Sequence, residues 1–145
     1  MNIVRRNPWH EDFIRLAQFW ADLRSKDPST KVGAVIADVE NQIVSIGYNG
    51  FPAGVLDHAE LLDEKSEKYP RVVHAEANAI LRAGERAVGA NIYCTLFPCS
   101  ECAKLIIQSG ICEVYSPEPD FTRTGANYPV SLDMFKEAGL EVHYV

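Results

Sequence analysis

Residues 90–116 read ANIYCTLFPCSECAKLIIQSGICEVYS. Ala90–Leu96 and Ile111–Ser116 are short runs of β-branched, aromatic and small apolar residues, the texture of strands buried on both faces. Between them, Ser100–Ser109 predicts a helix that opens after Pro98 and stops at Gly110. A strand, a helix and a strand in so short a span indicate a parallel pair with a right-handed crossover, provided the two strands are neighbours.

The same texture extends in both directions. Downstream, a turn-rich loop is followed by a helix over Ser131–Ala138, a stop at Gly139 and a closing strand in LEVHYV, Leu140–Val145. Upstream, a helix is expected from His74 to about Ala87. VGAVIAD (Val32–Asp38) and QIVSIGYN (Gln42–Asn49), joined by a short polar turn, predict a hairpin. Before them, Asn7 and Pro8 mark a helix start, Glu11 and Asp12 suit its first turn, and Phe13, Leu16, Ala17, Trp20 and Leu23 recur at helical spacing as a core stripe. Pro52–Pro70 is a charged, partly helical excursion. Five strands alternating with helices predict a three-layer α/β/α sandwich around a central mixed sheet of about five strands, whose order the pattern leaves open.

At 145 residues, 47% hydrophobic and 23% charged, the chain is expected to be one domain over residues 1–145, with a core that needs no disulfides. No apolar run is long enough to span a bilayer, so no membrane partner is expected. The start, MNIVRRNPWHEDF, shows no secretory signal, which makes a cytoplasmic setting the expectation. Fourteen basic against twenty acidic residues give a net charge of −6, which argues against a nucleic-acid partner. Four cysteines in such a chain point to thiols or metal ligands, and Cys94 and Cys112, inside apolar strand patterns, are expected to be small core residues.

Two helix starts carry the chemistry. RVVHAEANAI, Arg71–Ile80, sets His74 and Glu76 two positions apart, which on a regular helix would send them to nearly opposite sides. They converge only if the helix meets its ligand end-on. In TLFPCSECAKLI, Thr95–Ile106, Cys99 and Cys102 fall in a first helical turn, where free N–H groups and the helix dipole favour thiolates. One histidine and two cysteines suit zinc with the fourth position left for water, as catalytic rather than structural zinc requires, and Glu76 would stand beside that water to accept its proton. The order HxE followed, twenty-three residues after the glutamate, by Cys99 of PCxxC is the signature of zinc-dependent nucleobase deaminases. Other readings remain open at this level: a thioredoxin-like redox pair at CxxC, a closed zinc site with Cys94, Cys112, His58 or His143 as fourth ligand, and Glu76 as a solvated first-turn acid.

At these residues the chain resembles the cytidine and deoxycytidylate deaminase superfamily, and within it the deoxycytidylate (dCMP) deaminases. The resemblance runs from about Trp9 to Ile111 and is carried by RSKDPSTKVGAVI, IGYNGFPAGV, KYPRVVHAEANAI and FPCSECAKLIIQSGI. It implies the cytidine deaminase type of sandwich and one catalytic Zn2+ on His74, Cys99 and Cys102, with Glu76 as the proton carrier. It also implies a substrate, dCMP, hydrolysed to dUMP and ammonia as a supply for thymidylate synthesis. The Ala75 N–H would meet the cytosine carbonyl and Asn49 the sugar, while Arg24, Ser25, Lys26 and Lys31 are the candidate holders of the 5′-phosphate. Gly47, Tyr48, Asn49 and Gly50 would belong to an effector site for dCTP as activator and dTTP as inhibitor, in a homo-oligomer, a hexamer by resemblance. Tyr69, Phe121 and Tyr128 are candidate lining residues. The alternatives are a deaminase of another small cytosine or modified-cytosine nucleotide and a non-catalytic nucleotide-binding relative, and Glu76 argues against the second because a binder needs no proton carrier.

Overall fold

The computed structural model describes all residues Met1–Val145. In chain order it contains α1 (Trp9–Arg24), β1 (Gly33–Ala37), β2 (Ile43–Tyr48), α2 (Ala59–Asp63), α3 (Lys65–Lys68), α4 (Ala75–Ala83), β3 (Asn91–Cys94), α5 (Ser100–Gln108), β4 (Glu113–Ser116), α6 (Tyr128–Ala138) and β5 (Glu141–Tyr144). The expected hairpin is present. Asp38 closes its turn by accepting the N–H groups of Glu40 and Gln42, both at 2.9 Å, and Asn41 takes the left-handed conformation at φ 61°.

The strand order is β2-β1-β3-β4-β5. β1 pairs antiparallel with both β2 and β3, whereas β3, β4 and β5 run parallel and are joined through α5 and α6. The sandwich is unequal on its two sides. α1 alone packs on β1, β2 and β3 through Phe13 and Ala17 beside Val35, Ala37 and Tyr93. The opposite face carries α4, α5 and α6, and the main core lies there, with Ile36, Ile92 and Val114 of the sheet against Ala79, Ile106 and Phe135.

Two glycines set how closely helices approach. A Cβ at Gly33 would overlap the Ala17 backbone, and one at Gly47 would overlap the backbone of Ala75 and Ala79. That first approach corrects the α1 stripe. The buried line is Phe13, Ala17 and Ala21, each four residues on, while Leu23 lies two positions past Ala21 on the far side, 59% exposed. Cys112 is also exposed rather than core, because β4 begins at Glu113 and the inward positions of this stretch go to Ile111 and Val114. β3 ends at Cys94, earlier than Leu96, although Thr95 still ties to β1, its N–H donating to Gly33 O and its hydroxyl oxygen accepting from Gly33 N–H. α6 starts at Tyr128, not Ser131, since Asn127 turns the chain at φ 51° and Pro129 fits a first helical turn.

Candidate active site

His74 and Glu76 converge because only one of them is helical. His74 is the N-cap of α4, with extended backbone at φ −69° and ψ 154°, and Glu76 lies in the first turn. The approach is fixed one residue earlier, where Val73 and Gly50 exchange backbone hydrogen bonds of 2.8 and 3.1 Å. Cys99 repeats the device as N-cap of α5, at φ −67° and ψ 168°, with Cys102 in the first turn. The His74 Nδ1 atom lies 3.4 Å from both sulfurs, and the Cys102 thiol donates to Glu76 Oε2 at 3.5 Å.

The electrostatics follow from this packing. Hydrogen bonds from Cys102 and His74 hold Cys99 down to about 4, whereas donation to Cys99, burial and the nearby Glu76 carboxylate push Cys102 up. The hydrogen bond to Cys99 raises His74 despite partial burial. Burial raises Glu76, with its own backbone N–H and His74 opposing, so a proton rests on this carboxyl more readily than on an exposed glutamate. A cation among the three ligand atoms would relieve the pair by taking both sulfurs as thiolates. The donor set fits zinc: one imidazole nitrogen and two sulfurs, all within 4.8 Å of one another.

These residues sit in a cavity of about 800 Å³, inside the range of about 300–1,000 Å³ usual for small-molecule sites. Asn49 and Ala75 line it. Asn49 is almost fully engaged: Nδ2 donates to Thr30 O at 2.9 Å, and Oδ1 accepts from Val32 N at 2.9 Å and Ser25 Oγ at 2.8 Å. One amide hydrogen is left for a ligand. Asp27 builds the adjoining wall, accepting from the N–H groups of Ser29 and Thr30 at 2.8 and 3.0 Å and from Lys68 Nζ at 3.2 Å. The Lys68–Asp27 pair is buried, with side chains 5% and 7% exposed.

None of Arg24, Ser25, Lys26 and Lys31 lines this cavity. Ser25 is buried and turned toward Asn49, and Lys26 pairs with Asp57 at 2.7 Å. Arg24 and Lys26 line a separate cavity of about 110 Å³ with Tyr48, Gly50 and Asp57. The chain leaves α1 at Ser25, which is buried, while Arg24 and Lys26 on either side of it face the small cavity. The GYNG run is divided in the same way, with Gly47 under α4 and Asn49 in the large cavity. Tyr69 and Tyr128 line the large cavity, whereas Phe121 does not and is 61% exposed.

The residues that sequence reasoning missed are Asp27, Lys65, Lys68 and Arg123, all on the cavity wall. Asp27 lies within SKDP and Lys68 heads KYPRVVHAE, so both stood inside recognised runs without an assigned role. Arg123 lies in the Tyr115–Tyr128 segment, where no pattern marked it.

Comparison with known proteins bears on the same residues. Residues 7–117 match the family described as the cytidine and deoxycytidylate deaminase zinc-binding region. An uncharacterized deaminase from the luxG 3′ region of Aliivibrio fischeri is 49% identical over 140 residues, covering 94% of this chain and 93% of its own. The mouse deoxycytidylate deaminase is 51% identical over 114 residues, covering 73% of this chain, which spans 62% of the mouse protein's length. Among solved structures, a dCMP deaminase from the cyanophage S-TIM5, also solved with dCMP and dUMP, superposes with a TM-score of 0.75 at 25% identity, covering 97% of this chain and all of the phage one. With two helix starts that bring together a His-Cys-Cys set beside a buried glutamate, this chain belongs to the zinc-binding cytidine and deoxycytidylate deaminase family.

Proposed function

We propose that the protein hydrolyses dCMP to dUMP and ammonia, one water being consumed for each amino group released. The observation that carries this reading is Glu76, a buried carboxyl held at a helix start 3.5 Å from one of two paired thiols, on the wall of a cavity large enough for a nucleotide. Zinc on His74, Cys99 and Cys102 supplies the Lewis acidity that makes water nucleophilic at neutral pH. Glu76 moves the protons: its carboxylate takes one from the water and delivers it to N3 of the cytosine, then takes the remaining proton from the hydroxyl now on C4 and passes it to the departing amino nitrogen, which leaves as ammonia as the C4 carbonyl forms. The first N–H groups of α4 have no intrahelical acceptor, so that of Ala75 is available to the cytosine carbonyl. The free amide hydrogen of Asn49 suits a sugar hydroxyl.

Three cations reach the cavity: Lys65, Lys68 and Arg123. Lys68 is committed to Asp27, whereas Lys65 and Arg123 enter no ion pair. We assign the 5′-phosphate to Arg123 and Lys65 in place of the basic run before β1, because a guanidinium and an ammonium on one cavity wall match a dianion. Control by dCTP and dTTP, a homo-hexameric assembly, a cytoplasmic setting and a supply of dUMP for thymidylate are further parts of this reading. They follow from the resemblance, and the small cavity of Arg24, Lys26, Tyr48 and Gly50 is the place to seek an effector phosphate. The test is ammonia release from dCMP, CMP, deoxycytidine and 5-substituted dCMP, with and without dCTP. Turnover confined to dCMP-type substrates is expected. A zinc-loaded protein that releases no ammonia from any of them overturns the reading.

A further inference from the structure

A second cluster of ligating side chains lies on the opposite face of the sheet from the main core. Glu113 on β4 and Glu141 on β5 are direct register partners on parallel neighbours, a placement in which two carboxylates repel. His143, two residues beyond Glu141, points to the same face. Its Nε2 stands 3.7 Å from Glu113 Oε1 and 3.5 Å from Glu141 Oε2. That nitrogen is shielded from solvent and has no hydrogen-bond partner. Ligand atoms around a tetrahedral zinc ion with bonds of about 2.0–2.2 Å stand roughly 3.3–3.6 Å apart; the 3.5 Å contact to Glu141 falls in that range, the 3.7 Å contact to Glu113 lies just above it, and all three ligand atoms lie within 4.8 Å of one another.

Neighbouring side chains orient the cluster in the way that outer groups orient metal ligands. Tyr115 donates its hydroxyl to Glu113 Oε2 at 3.0 Å, leaving Oε1 toward the histidine. Its ring stacks on His143 at 4.5 Å and fixes the imidazole plane, while Tyr93 backs it at 4.7 Å. The cluster opens to solvent at Glu141, whose side chain is 71% exposed, while His10 of α1 stacks on Tyr115 at 5.6 Å.

We propose that Glu113, Glu141 and His143 form a second metal site, separate from the His74-Cys99-Cys102 set, taking a zinc-class divalent ion through one nitrogen and two carboxylate oxygens. Its remaining positions are open to water, and its effect is to pin β5 to β4. One nitrogen and two oxygens without a thiolate make it a weaker and less selective site than the cysteine set.

The test starts from the full-length protein with its first zinc bound and removes loose metal by dialysis. Co2+ or Zn2+ is then titrated while bound metal per chain is counted and the melting temperature followed. The unmodified protein is expected to take up a second equivalent and to melt higher as it does so. His143→Ala and Glu113→Gln are expected to keep the first equivalent and lose both the second and the rise in melting temperature. Should either variant fold poorly, Glu141→Gln on the exposed edge strand gives the same readout. Uptake that stops at one equivalent in the unmodified protein, or a second equivalent that survives His143→Ala, overturns the site and leaves a plain ion-paired cluster.

Discussion

On the side of the cavity that carries His74 and Glu76, the helix start is tied to the sheet from several directions. Gly50 and Val73 exchange backbone hydrogen bonds, Asn78 Nδ2 donates to Tyr48 O at 2.8 Å, Ser45 Oγ donates to Ala79 O at 2.7 Å, and Gly47 lets α4 sit against β2 without a side chain between them. Across the cavity, the hydrogen bonds of Asp120–Arg123 stay within the segment: Asp120 accepts from the N–H and hydroxyl of Thr122, and its carbonyl accepts from the Arg123 N–H. The far anchor of that wall is Tyr128, buried edge-on against Phe97 at 5.3 Å. One wall is therefore a property of the whole fold, whereas the other is a local turn that can change its side chains without disturbing the sheet. The matched family region ends at residue 117, so it covers the first wall and none of the second.

The sharpest way to probe the first wall is Glu76→Gln, which keeps the shape and removes the proton carrier. Turnover is expected to fall by about 10²–10⁴-fold with zinc content and melting temperature little changed. Near-normal turnover in that variant would move proton transfer to another group. The next effect concerns what holds the wall. Lys68→Met keeps the bulk of the side chain but leaves the buried Asp27 carboxylate without its partner, and breaking such a pair from one side costs about 3–5 kcal/mol. Urea unfolding should show a loss of that size. A loss below about 1 kcal/mol would mean that Asp27 turns out to solvent and that this wall is less fixed than its hydrogen bonds indicate.

How far the sequence could be read follows the same division. The hairpin, the β3-α5-β4 unit and the His-Cys-Cys set were legible because each rests on local chemistry: a polar turn, a Pro before a helix and ligands at two helix starts. The order β2-β1-β3-β4-β5 was not legible, since no local pattern records which edges pair. Leu23 and Cys112 were misplaced for a related reason. Periodicity gives the spacing of a face, but the close approach of α1 to the sheet at Gly33 and the strand start at Glu113 decide which residues occupy it. The basic run Arg24, Ser25, Lys26 and Lys31 lies off the large cavity, and its sequence could not show this because charge near a motif says nothing about which cavity a side chain enters. Gly47 and Asn49 drew notice as effector residues, while their packing and hydrogen bonds serve the placement of α4 and the turn before β1.

The smallest predicted effect is the one that best separates the two walls. Arg123→Ala removes an exposed guanidinium from a segment whose internal hydrogen bonds use its backbone and not its side chain, so stability should change little. If that guanidinium holds the 5′-phosphate, the lost charge-assisted hydrogen bonds are worth about 1.5–3 kcal/mol, roughly a 10- to 100-fold rise in KM for dCMP. Deoxycytidine, which lacks the phosphate, should be turned over by the variant as it is by the unmodified protein. Arg123→Lys should restore part of the affinity, because an ammonium keeps the charge but not the planar fork. Equal losses on dCMP and deoxycytidine would instead make Arg123 part of what shapes the cavity. Substrate choice would then lie with the wall that also carries Glu76, and selectivity could not change without disturbing the chemistry.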